Sequence, residues 1–89
     1  MTLTFAQYSI LKATYKGVTY GQLEQETNFD YLMITYYISG LLTIGLIQAS
    51  NKEGSETTFY KLTDEGENSI EEYERANPAL IIKQASNQS

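Results

Sequence analysis

Eighty-nine residues, 42% of them hydrophobic and only one a proline, describe a single folded domain rather than a disordered chain. The chain contains neither cysteine nor histidine, which removes disulfides, the usual zinc ligands, thiolate nucleophiles and imidazole bases together, so no enzymatic activity and no cofactor are expected. Six Lys or Arg against eleven Asp or Glu give a net charge of −5, the wrong sign for gripping nucleic acid by bulk electrostatics. No apolar run approaches the ~18 residues of a membrane span and no signal-peptide pattern opens the chain, so a cytoplasmic protein without membrane contact is expected.

In chain order, Thr4 with Gln7 three residues on is a capping-box spacing, and Gly17 closes the segment, so a first helix is predicted from Phe5 to Lys16. Its apolar residues fall in two stripes, Tyr8, Leu11 and Tyr15 on one side and Ala6, Ile10 and Ala13 on another, which calls for two packing partners. Val18-Thr19 reads as an extended link, and Thr19 with Gln22 repeats the capping box ahead of a short second helix, Tyr20 to Glu26. Asp30 caps a third helix from Tyr31 to Ile44, with Ile34, Tyr37, Ile38 and Leu41 on its core face and Gly45 at its C-terminal turn. Tyr8, Tyr15, Tyr31 and Tyr37, aromatics at helical spacing, read as core rather than as the lining of a ligand pocket.

Beyond Gly45 the pattern changes to a hairpin: a strand at Leu46 to Ala49, a polar loop from Ser50 to Ser55, and a second strand at Thr57 to Leu62. Thr63 then caps a fourth helix, Asp64 to Asn77, whose Asp64, Glu65 and Glu67 suit the positive end of the helix dipole, and Pro78 stops it. Ile70 and Tyr73 are its narrow apolar stripe, ringed by acids that read as a solvated face. Leu80-Ile81-Ile82 form a small apolar cluster ahead of a polar tail.

The order is therefore helix, short helix, helix, hairpin, helix, an α+β but mainly α arrangement in which a short helix turns tightly into a longer one and a hairpin follows as a wing. Four segments carry a family likeness: Tyr8-Ser9-Ile10-Leu11, Leu23, Leu41 with Gly45-Leu46-Ile47, and Tyr60-Lys61-Leu62-Thr63-Asp64-Glu65-Gly66. In this order and spacing, covering about Phe5 to Tyr73, they resemble the winged helix-turn-helix domains of MarR-like and PadR-like transcriptional regulators. The resemblance implies a three-helix core, a two-stranded wing and a C-terminal helix within residues 1–77. Residues 78–89 are left as an apolar segment and polar tail.

It further implies a DNA-binding regulator whose third helix reads the major groove through Leu32, Met33, Thr35, Tyr36 and Ser39. Thr19, Tyr20 and Gln22 at the second-helix start, with Lys52 and Lys61 of the wing, would lie on the backbone of double-stranded DNA. The chain departs from that pattern in one respect: from Asp30 to Ile44 there is no Lys, Arg, Asn or Gln, and Tyr36 and Gly40 fall where the family often has basic residues. Few phosphate contacts imply a shallow salt dependence. The alternative reading is an acidic winged-helix interaction module, DNA-mimicking in one form, that docks a protein partner and binds no DNA. A homodimer is expected through Ala6, Ile10 and Ala13 of the first helix with Leu80, Ile81 and Ile82.

Overall fold

The computed structural model describes residues 3–51, 54 and 57–79. It has four helices, α1 (Phe5–Ala13), α2 (Tyr20–Thr27), α3 (Tyr31–Thr43) and α4 (Asp64–Ala76), and a two-stranded antiparallel sheet of β1 (Ile47–Asn51) and β2 (Thr58–Leu62) inserted before α4. The register pairs Ile47 with Leu62 at the sheet base and Asn51 with Thr58 at its tip. No helix among the described residues is long and apolar enough to cross a membrane.

Each helix starts where a side chain can take up an orphan backbone N–H. Thr4 and Thr19 form reciprocal capping boxes with Gln7 and Gln22, and Asp30 and Thr63 accept from the amides of Met33 and Gly66. The helix ends explain the differences from the sequence-based boundaries. α1 stops at Ala13 instead of Lys16 because Thr14 turns its hydroxyl onto the Leu11 carbonyl at 2.8 Å and Gly17 adopts a φ of +84°. That turn frees Val18 to exchange two backbone hydrogen bonds with Tyr60, of 2.9 and 2.7 Å, so the predicted link is a bridge onto β2.

α3 ends in a Schellman motif. Gly45, at φ +81°, donates to the Leu42 carbonyl, while Leu46 donates to that of Leu41, and Leu46 and Leu41 are both buried. Leu46 thus belongs to the helix terminus, and β1 starts one residue later than expected and runs on to Asn51, whose side-chain amide donates to the Thr58 hydroxyl at 3.2 Å. α4 ends at Ala76, and Pro78 and Ala79 are again helical after the break at Asn77, in keeping with proline's tolerance at a first helical position.

The core joins Leu3, Tyr8, Ile10, Leu11, Val18, Leu23, Ile34, Ile38, Leu41, Leu46, Ile47, Leu62 and Ile70. α1 lies at its centre, packed against α2 and α3 on one side and α4 on the other, so its two stripes do have two partners. Ile10 is fully buried in this core and has no surface to give a second copy, which corrects its place in the expected dimer contact. Ala6 and Ala13 are half-buried, and Leu80, Ile81 and Ile82 lie outside the described residues.

Two of the four tyrosines expected in the core are not there. Tyr15, past the shortened end of α1, and Tyr31, on the first turn of α3, are each more than half exposed, whereas Tyr8 is buried and Tyr37 half-buried. Tyr8 closes the seam between α1 and α4: its ring stacks on Tyr73 at 4.5 Å and its hydroxyl donates to Glu74 at 2.6 Å. Lys12 meets the same carboxylate oxygen at 3.0 Å.

Candidate nucleic-acid interface

The short loop between α2 and α3 sets the angle at which α3 leaves the body. Asn28 caps α2 in the left-handed region at φ +61°, a conformation asparagine adopts at modest cost, and the Phe29 ring packs at 6.3 Å from Tyr37. Ile34, Ile38 and Leu41 then anchor α3 to the core. With 3.6 residues per turn the opposite face carries Leu32, Tyr36 and Ser39, with Met33 and Thr35 at its margins. Leu32 is 77% exposed, Tyr36 74% and Met33 40%, and Ser39 is exposed as well.

Thr35 behaves differently from the expectation of a hydroxyl directed at bases. Its Oγ1 is buried and has no hydrogen-bond partner, while the residue as a whole is partly exposed. The surface that Thr35 presents is therefore not its hydroxyl. The polar groups left on the outward face are the hydroxyls of Tyr36, Ser39 and Thr43, the last donating to the Ser39 carbonyl at 2.9 Å. No charged side chain occurs anywhere from Tyr31 to Asn51.

Beside the start of α3 stands the start of α2. Thr19 and Gln22 are both committed to its capping box, the Thr19 hydroxyl accepting from the Gln22 amide at 3.3 Å and the Gln22 side chain from the Thr19 amide at 3.0 Å. The N–H groups of Tyr20 and Gly21 remain without partners inside the helix. The Tyr20 ring lies 5.3 Å from Tyr31 and 5.4 Å from Tyr60, so one aromatic cluster ties the starts of α2 and α3 to β2. Burial, reinforced by Tyr20, raises the Tyr60 phenol above its ordinary value and keeps it neutral. These rings border a depression of about 420 Å³ with Thr19, Gly21, Thr57 and Thr58. Lys61 is exposed on β2 opposite Gln48, and Lys52 lies outside the described residues.

The charge distribution was not evident from the net value. α4 carries Asp64, Glu65, Glu67, Glu71, Glu72 and Glu74 against Arg75, five negative charges in excess, as many as the whole chain's net charge. α4 packs on α1 and β2, whereas α3 packs on α1, α2 and β1. The acidic excess is thus confined to a helix other than the one with the exposed apolar face.

No family profile matches the chain, and no curated protein matches it in sequence. Solved structures do match in fold. Sso10a-2, a DNA-binding protein from Sulfolobus solfataricus, superposes with a TM-score of 0.71 at 15% identity over 93% of this chain and 90% of its own. The MarR family transcription regulator SP03579 gives a TM-score of 0.76 at 24% identity, covering 98% of this chain and 59% of its own. A PadR family transcription regulator from Clostridium difficile R20291 gives 0.72 at 17% identity, covering 96% and 97%. The chain spans about three fifths of the length of the MarR-family protein and nearly all of the other two. At these identities the likeness establishes the fold: the chain is a winged helix-turn-helix domain, with α2 and α3 as the helix-turn-helix and β1–β2 as the wing.

Proposed function

We propose that this chain is a small DNA-binding regulator of transcription that lays α3 in the major groove of double-stranded DNA. The observation that carries the reading is the exposed apolar face of α3, whose first turn lies beside the start of α2, in a fold shared with proteins described as DNA-binding or as transcription regulators. Leu32, Met33, Tyr36 and Ser39 face the bases. The Tyr20 and Gly21 amides, with Lys61 and Lys52 of the wing, face phosphates. The acidic excess on α4 does not oppose this, since it lies off the helix that enters the groove.

In this reading the protein acts as a homodimer through the outer side of α1, where Phe5 is 60% exposed beside Ala6, and the segment after Pro78. Light scattering at tens of micromolar is expected to give a dimeric mass, and truncation after Asn77 to lower it. A monomeric mass for the full chain refutes the dimer.

DNA binding is tested by fluorescence anisotropy with promoter and random duplexes at 50 and 200 mM salt. Two lysine–phosphate contacts per protomer, four in the dimer, give a log–log salt slope of about −3.6, a loss of roughly 150-fold over that range, far less than for a dimer with six or more contacts on each protomer. Lys52→Glu with Lys61→Glu is expected to abolish binding. Absence of binding to any duplex at micromolar protein refutes the proposal and leaves the interaction module in its place.

A further inference from the structure

Resting on the DNA reading above, we propose that α3 selects thymine-rich sites by burying thymine 5-methyl groups against Leu32, Met33 and Tyr36, with no bidentate hydrogen bond to any base. The major groove offers four edges with distinct requirements. Guanine is read by Arg or Lys, adenine by Asn or Gln and cytosine by an acidic acceptor, whereas thymine alone adds a methyl group that needs only apolar contact. The exposed face of α3 holds none of the first three kinds of side chain. It holds two large apolar side chains and an aromatic ring; Thr35 at its margin keeps its hydroxyl buried, and the exposed Thr43 donates its own to the Ser39 carbonyl at 2.9 Å.

Discrimination on such a face runs in both directions. Leu32 or Met33 against a thymine methyl removes apolar surface from water on both partners. The same side chains against guanine cover its N7 and O6 without supplying a donor, and against cytosine cover its amino group without supplying an acceptor, so those pairs lose hydrogen bonds to water with nothing in return. Adenine, the partner strand of each thymine, tolerates this face through the Tyr36 and Ser39 hydroxyls.

Shape and charge favour a duplex over a protein as occupant. A helix with its side chains is 10–12 Å across and the major groove about 12 Å wide. A single helix bearing Leu32 and Tyr36 on its crest fits that width. The first-turn amides of α2 offer donors beside the start of α3, α3 itself carries no charge, and the five excess negative charges sit on α4, an arrangement that leaves a polyanion laid along α3 unopposed.

The test starts from selection of bound sites out of a random duplex pool with the full chain. Each thymine of the enriched site is then replaced by deoxyuridine, which deletes the methyl and leaves every hydrogen-bonding group in place. Anisotropy titrations are expected to show about fourfold weaker binding for each methyl lost under α3, and no change for thymines outside its footprint. In the Leu32→Ala, Met33→Ala double variant, whose fold is checked by its thermal melt, the uracil penalty should vanish at the thymines those two side chains cover and persist only at one covered by Tyr36. An enriched site poor in thymine, or one bound equally well with uracil, overturns the proposal while DNA binding itself stands. Enrichment of no duplex overturns the DNA reading and this inference with it.

Discussion

Gly66 is buried in the first turn of α4 and has no positive φ, so the reason for glycine there is space rather than backbone freedom. A Cβ at this position would overlap the Leu46 carbonyl oxygen, approach Leu62 Cδ1 to 2.6 Å and come within 3.1 Å of the Leu46 carbonyl carbon. Leu62 can rotate away. The Leu46 carbonyl cannot, because it accepts from the Thr63 amide at 3.1 Å while the neighbouring Gly45 carbonyl accepts the Thr63 hydroxyl at 2.7 Å. Gly66→Ala therefore has to push α4 off the corner where α3, β1 and β2 meet. Overpacking of about 3 kcal/mol and roughly 1 kcal/mol of weakened hydrogen bonds are offset by about 1 kcal/mol of helix propensity gained. The net loss of about 2–3 kcal/mol lowers Tm by roughly 10–20 °C in a domain of this size. Gly40→Ala is the control: it lies in the exposed interior of α3 with no atom within 4 Å of its added Cβ, so propensity alone acts and stability rises by about 0.5–1 kcal/mol. Thermal melts by circular dichroism separate the two signs. If both variants moved Tm the same way, the close approach at Leu46 would not be what requires glycine.

Thr63→Ala removes both the cap on the Gly66 amide and the tie to Gly45, and should cost about 1–2 kcal/mol in urea melts, with Thr63→Asn restoring only the cap. Tyr8→Phe keeps the ring stacked on Tyr73 but deletes the donor to Glu74, at about 1.5 kcal/mol for a half-buried bond to a charged acceptor. That hydrogen bond, with Lys12 assisting against some burial, holds the Glu74 carboxyl below its ordinary 4.5. A depressed carboxyl stabilises the fold above its unfolded value, and this contribution fades as pH falls from about 4.5 through the lower folded value. The wild-type should therefore lose more stability than Tyr8→Phe between pH 5 and 3, and equal losses would show that the contact is not felt. Tyr36→Ala should leave Tm within about a degree or two, as its ring is 74% exposed, while weakening duplex binding. A large fall in Tm would make Tyr36 structural.

The elements legible in the sequence were those set by local chemistry. Thr4, Thr19, Asp30 and Thr63 occupy the caps that their spacing implied, and Gly45 takes the left-handed turn expected of it. Features set by distant partners were not legible. The buried Thr14, whose carbonyl accepts from the Leu62 amide at 3.3 Å, and the Val18 bridge to Tyr60 depend on β2, more than forty positions away in the chain. Ile10 looked available for a second copy because a helical wheel shows two stripes without showing that the fold buries both: α4 covers the Tyr8 stripe, and Ile10 is fully buried in the core on the other. The exposed face of α3 followed from the 3.6-residue period, yet the orientation of the Thr35 hydroxyl did not, because that is a rotamer chosen by local packing. The clustering of acid on α4 was legible in the sequence, because it needs only the charges within one helix.

The most direct test of the account is a titration of the 15N-labelled chain with a selected duplex, following backbone amide shifts residue by residue. The account predicts that changes concentrate at Tyr20–Gln22, Tyr31–Ser39 and the exposed edge of the wing near Lys61, with Glu67–Glu74 of α4 unmoved. Changes centred on the acidic face of α4, or none anywhere at saturating duplex, would contradict it.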